Sequence, residues 1–392
     1  MHHHKHFLNF LLNRELNGLY LTVAMKAFTY SMIAIFIPLF LLNLGYVFQD
    51  VIVFYLISFS IFLVLTLITP KIINLVGLKR TMLISIPLFS LAYFLLSQLN
   101  GGFNWLFYSV PVIQGIAYAF FWIPFHSDFA ISSSKKKRAT QTGIQHVLIS
   151  LLAALGPIVG GFLLIEIGFH WLLISASCLM FLGMIPLLRS GDFKESKPGK
   201  IKDIFKYLDI RNFLGHSAFG VEWTVYAVVW PMFLILILKG YLLLGIIFAI
   251  PLIINLFSTI ITASISDKKG AGKIMRIGSL FLFVSWFLRA FITKTWHVIV
   301  LSIYSGVIDP STKIGLDSIC YNRAGKKHPV ESIAGREFAI SFGRLIILIL
   351  LFIWPSFTFA FIFAAFSVLL YIVFSLKHKK DVQKVWLFRL KK

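Results

Sequence analysis

A helix that crosses a bilayer needs ~20 mostly apolar residues. Twelve stretches of this chain meet or nearly meet that need: 18–44, 51–74, 81–99, 105–131, 140–165, 171–188, 212–238, 241–265, 274–292, 296–321, 333–354 and 356–376. They are numbered here as spans 1 to 12. Strand-like alternation of period two is absent, so a closed β-barrel is not expected. Of the 392 residues 58% are apolar, spread along the chain, and a water-soluble domain of this size could not hide them. The first apolar run has the length of a span and no small-residue cleavage site, so no cleavable signal peptide is expected.

The charges sit between the spans and alternate. Thirty of the 37 Lys and Arg lie in or beside the gaps that would share a side with the N-terminus, whereas the opposite gaps hold only Lys239 and Lys294. Positive charge gathers on the cytoplasmic side of membrane proteins, so both termini are expected in the cytoplasm, in a multi-pass protein of the cell membrane. The formal charge of +22 is thereby explained without a nucleic-acid partner. Trp105, Trp171, Trp296 and Trp354 mark the opposite ends of helices, where indole suits the headgroup layer. The start, His2-His3-His4-Lys5-His6, reads as a solvated basic tail or tag remnant rather than a metal site. Cys178 and Cys320 read as small core residues. No metal or cofactor is expected.

The longest polar run, Arg189 to Arg211, divides the chain into similar halves. This gives three expected units: a six-helix bundle over 1–189, a cytoplasmic linker over 190–211, and a second bundle with a basic tail over 212–392. Within the linker Ile201, Ile204, Phe205 and Leu208 follow helical spacing, which predicts a short amphipathic helix at the membrane interface. The halves repeat: Pro38 with Pro231, Gly77 with Gly270, Trp105 with Trp296, Gly115 with Gly306 and Gly143 with Gly335, at offsets of 191–193. Parallel six-helix halves with a site between them are a recurring transporter plan.

Three local patterns carry a family resemblance. After span 8 comes Ser266-Asp267-Lys268-Lys269-Gly270, with Lys273 and Arg276; the copy after span 2 keeps Gly77, Lys79 and Arg80 but has Asn74 for the acid. Span 5 contains Gly156-Pro157-Ile158-Val159-Gly160-Gly161. Span 4 has Gln114-Gly115, with Pro111 where proton-coupled exporters often carry Arg. With these features the chain resembles the major facilitator superfamily across essentially its whole length. The resemblance implies an all-α membrane fold of twelve helices in two pseudo-symmetric bundles. It also implies that the loops around Asn74 and Asp267 form a cytoplasmic gate, and that the span 5 motif belongs to exporters. The bland alternative for that motif is small-residue helix packing. Pro111 departs from the pattern of simple proton antiport.

A charge at a helix centre costs ~2.5–3.5 kcal/mol to insert. Asp309, Lys313 and Asp317 recur every four residues in span 10, Arg344 is near the centre of span 11, and Glu222 near that of span 7. These charges, with Lys26 in span 1 and Trp122 in span 4, are the candidate substrate or coupling residues. The alternative is a structural network in which Arg344 satisfies Asp309. His126 and Asp128 suggest a gate or interface, and Arg289 an interfacial or structural charge. No nucleophile motif or phosphate loop points to an enzyme. The expectation is a monomeric secondary transporter of a small solute, an exporter, with proton or sodium as candidate coupling ion. Uptake symport and a non-transporting scaffold or sensor are the rivals.

Overall fold

The computed structural model describes residues 14–132, 138–188, 201–324 and 328–376. The N-terminal histidines, much of the linker and the basic C-terminal tail lie outside these residues.

Among the described residues nine apolar stretches are long enough to cross a membrane. One of them, Ile149–Leu188, is two passes that part at Gly168, where φ of 75° and ψ of 174° break the helix. Two further helices, Thr295–Ala324 and Pro329–Ile353, are long enough to cross but carry more charge. Together these make the twelve expected passes, with each boundary within about four residues of expectation.

Spans 1 and 7 are both interrupted, for the same reason. A proline ring collides with the carbonyl four residues earlier. Pro38 ends the first helix of span 1 at Ala34, and a second helix, Ile37–Asn43, completes the pass. Pro231 acts on Ala227, which lies in a π-helical turn over Val225–Val229, one turn beyond Glu222. Gly77 and Gly270 carry positive φ of 107° and 89° at the turns after spans 2 and 8, a conformation that favours glycine.

The internal repeat is visible in the packing. Span 1 lies on span 5 and span 7 on span 11; span 2 on span 4 and span 8 on span 10; span 3 on spans 4 and 6, and span 9 on spans 10 and 12. Across the seam, span 5 packs on span 8 and span 11 on span 2. Each contact recurs when both numbers advance by six, which is a two-fold arrangement of bundles. Glycines permit the closest of these approaches. A Cβ on Gly115 would press into Ser58 and Ile61, and one on Gly306 into Pro251 and Ile254, the same crossing in each half.

Two expectations need adjustment. The linker helix, Ile201–Tyr207, forms, but it docks on the second bundle: Ile204 is fully buried, its carbonyl lies against Gly335, and Phe205 meets Phe338 edge-on at 5.5 Å. Cys320 is buried as expected, whereas Cys178 is exposed on the outer surface of the bundle, where lipid suits a thiol. The four tryptophans at helix ends are all more than half exposed.

Candidate functional site

The span 7 interruption opens a cavity beside Glu222, lined also by Phe219, Trp223 and Tyr226 of the same span. Span 9 contributes Trp286 and Arg289, and span 10 Asp309 and Lys313. The cavity has room for about one water. Lys313 Nζ donates to Asp309 Oδ2 at 3.1 Å, one turn apart on span 10. Tyr371 of span 12 donates its hydroxyl to Glu222 Oε2 at 2.5 Å. Arg289 Nη2 donates to Ser305 Oγ at 3.0 Å, and its guanidinium stacks 3.9 Å from the Trp286 ring. Two cations thus face two carboxylates.

This set differs from the expected one in four ways. Arg344 is not in it and does not satisfy Asp309; Lys313 does. Asp317, eight residues beyond Asp309, is about 12 Å further along the helix and joins another group. Arg289, expected as an interfacial or structural charge near the outer end of span 9, is 4% exposed and lines the cavity. Side chains on a helix lean toward its N-terminus, so Arg289 at the end of Ala271–Arg289 reaches back toward the membrane centre. That lean was the available sequence signal. The cavity also lies wholly among spans of the second half rather than between halves.

A second group runs from inside the first half to the seam. Lys26 Nζ is surrounded by rings of the first half: Phe121 at 4.3 Å, Trp122 at 4.5 Å, Phe89 at 4.7 Å and Tyr30 at 5.3 Å. Arg344 reaches from span 11 onto Trp223 at 4.6 Å and across the seam onto Phe59 at 4.7 Å. A run of rings joins the two cations: Phe89 to Tyr118 at 5.4 Å, then Tyr118 to Phe59 at 6.1 Å. Neither cation has a carboxylate partner among the described residues.

A third group ties the halves together on the face where Lys and Arg gather, called here the basic face. Arg336 of span 11 donates to Asp317 Oδ1 at 2.7 Å and to Glu337 Oε1 at 3.1 Å. His146 of span 5 donates from Nε2 to Asp317 Oδ2 at 3.1 Å, and His126 of span 4 shares a 2.6 Å hydrogen bond with Tyr321 of span 10. Phe129 packs on the same tyrosine at 4.9 Å. Sequence singled out His126 as a gate residue but not His146, Arg336 or Glu337, because their pairing depends on which helix ends meet. The expected gate residues stand at the turns after spans 2 and 8. Gly77 and Gly270 form the paired turns, Lys79 is buried and Arg80 exposed, and Asn74 is half-buried. The side chain of Asp267 is outside the described residues.

The opposite face is closed by span 5 against span 8. A Cβ on Gly161 would stand 2.8 Å from the Tyr241 carbonyl, and one on Gly245 would overlap the Pro157 carbonyl. Gly156 and Gly160 place span 5 against Phe28 and Met32 of span 1 in the same way. The span 5 motif therefore serves close packing on both sides, within the first half and across the seam. Phe48 and Phe357 close the other edge at 5.5 Å.

A family model described as Major Facilitator Superfamily matches residues 19–334. Among solved structures, the crystal structure of the human organic anion transporter MFSD10 (TETRAN) is similar, with a TM-score of 0.64 and 12% identity. The match covers 93% of this chain and 99% of that one. At that identity the likeness is one of fold. No curated protein matches the sequence.

Proposed function

The chain belongs to the major facilitator superfamily, and from that premise we propose that it is a secondary active transporter that exports a small solute by alternating access. One observation carries this reading: charged groups in the membrane interior lie between two faces that are both closed by contacts between the halves. A pore would need a continuous path, and a scaffold would gain nothing from charges that cost ~2.5–3.5 kcal/mol each to insert. A carrier needs both, since substrate or ion must tip a balance between states open to either side.

In this reading Glu222 and Asp309 accept the coupling ion, proton or sodium, and the basic-face network is the inner gate. In the same reading that face and both termini lie in the cytoplasm of a cell-membrane monomer, the side being supported by the lysine-rich loops. Export is supported by the resemblance of the Gly156–Gly161 stretch to the exporter motif. Uptake by symport is the second reading, favoured by the two carboxylates in the cavity.

Flux in proteoliposomes tests the proposal. Solute should move against its gradient when a proton or sodium gradient is imposed, and gradients of opposite sign separate export from uptake. Protein that passes no solute under any gradient would rule the transporter out. Orientation is tested in a Cys178→Ser, Cys320→Ser background: an impermeant thiol reagent outside intact cells should label Asn100→Cys and miss Lys269→Cys.

A further inference from the structure

We propose that Lys26 and Arg344 together bind an organic anion with a flat, aromatic body, held at the seam between the two halves. The proposal rests on the transporter reading above and names the class of its substrate.

Every other buried cation described in the membrane interior has acid close by. Lys313 has Asp309, Arg336 has Asp317 and Glu337, and Arg289 shares its cavity with Glu222 and Asp309. Lys26 and Arg344 are 5% and 6% exposed and have only rings. The acid acting on Arg344 is Glu337, two turns away on the same helix and already bound to Arg336 at 3.1 Å. Arg344 Nε has no hydrogen-bond partner, as is also true of Nε and Nη1 of Arg289. Aromatic faces ease the burial of a cation but do not neutralise it. The seam thus carries two basic side chains with no carboxylate in contact among the described residues.

An anion supplies what is missing. A carboxylate or sulfonate accepts two parallel hydrogen bonds from a guanidinium and a further one from an ammonium. Trp122 beside Lys26 and Trp223 beside Arg344 offer faces on which a planar body stacks. The two cations belong to opposite halves, span 1 and span 11. An anion that touches both therefore binds the closed arrangement better than one in which the halves have parted, and this difference is what lets a ligand drive the change of state.

The test uses the full chain purified in detergent and three probes sharing one ring system: naphthalene-1-sulfonate, 1-naphthylmethylammonium and 1-naphthalenemethanol. Calorimetric titration should show the sulfonate binding at least tenfold more tightly than the other two and than inorganic sulfate. Lys26→Gln and Arg344→Gln should each weaken it at least tenfold, with partial recovery in Lys26→Arg and Arg344→Lys. Neither Gln variant strands an acid, so both should stay monodisperse and melt no lower than the parent. If a Gln variant fails to fold, its conservative partner decides: sulfonate affinity that is unchanged there, and no better than that of the ammonium probe, overturns the proposal. Equal binding of the three probes, or unchanged affinity in folded Gln variants, also overturns it. Inorganic sulfate binding as tightly as the sulfonate overturns the aromatic part. Flux of the ammonium probe without the sulfonate would sink the anion site and leave the transporter standing. Tight sulfonate binding with no flux of any solute would do the reverse.

Discussion

The cavity beside Glu222 and the seam around Lys26 are both buried, aromatic and charged, yet they are built on opposite principles. In the cavity cations and carboxylates share one lining: Lys313 pairs with Asp309, Glu222 accepts from the Tyr371 hydroxyl, and Arg289 donates to Ser305 beside them. At the seam Lys26 and Arg344 are answered only by rings. A balanced set tolerates the low dielectric because its charges screen one another, and it loses stability when one member is removed. An unbalanced set stores unfavourable energy that a ligand of opposite sign relieves. Stability and binding should therefore respond in opposite directions to neutralising substitutions in the two regions.

The sharpest test is on the basic face, where balance is most complete. Arg336 is 4% exposed and holds two carboxylates. Arg336→Met should strand Asp317 and Glu337 and destabilise by about 3–5 kcal/mol. The measurement is thermal unfolding in detergent, with thiol labelling on the basic face as a second readout. An unchanged midpoint would remove this network from the closure of that face.

Next is the cavity pair. Asp309→Asn leaves Lys313 with only Glu222 nearby, and Lys313 is about one-third exposed, so the loss should be smaller, about 1–3 kcal/mol. Adding Lys313→Met should restore stability, and a double-mutant cycle reads the coupling directly. If the pair serves coupling, the double variant should fold well but fail to concentrate solute.

A smaller effect is expected from Tyr371→Phe. The hydroxyl that donates to Glu222 is lost, at a net cost of about 0.5–1.5 kcal/mol with water entering the space. Adding Glu222→Gln to the Tyr371→Phe variant should cost little more. A full additional loss there would show that Glu222 is held by other partners.

The smallest change, and of opposite sign, belongs to the seam. Arg344→Met should leave the melting temperature unchanged or raise it, by up to about 1–2 kcal/mol equivalent, because it removes a buried charge and orphans none. Its packing on Phe59 and Trp223 is kept in part by the methionine. A clear fall in stability would mean that the guanidinium has a structural partner, and the contrast between the two regions would fail.

Much of the fold was legible because its cause is local. Twelve apolar runs, the alternating lysines and the repeat of Pro38 with Pro231 and Gly77 with Gly270 are properties of neighbouring residues, and each became a helix, a face, a break or a turn. The site was legible only in part. Glu222, Asp309, Lys313, Lys26 and Arg344 stood out because charge is costly at a helix centre. Their grouping did not, since sequence depth along a helix says nothing of which face meets which neighbour.

That division is physical. Hydrophobicity and backbone sterics act within a few residues, so the sequence determined the number of crossings, their ends and the side that carries the basic loops. Pairing of charges depends on distances of about 3–4 Å between helices, set by close approaches such as Gly160 on Met32 and Gly220 on Ile340. Only the packed structure could decide that Lys313 meets Asp309, that Arg289 turns inward, that His146 reaches Asp317 across the seam, and that Lys26 and Arg344 are left with rings alone.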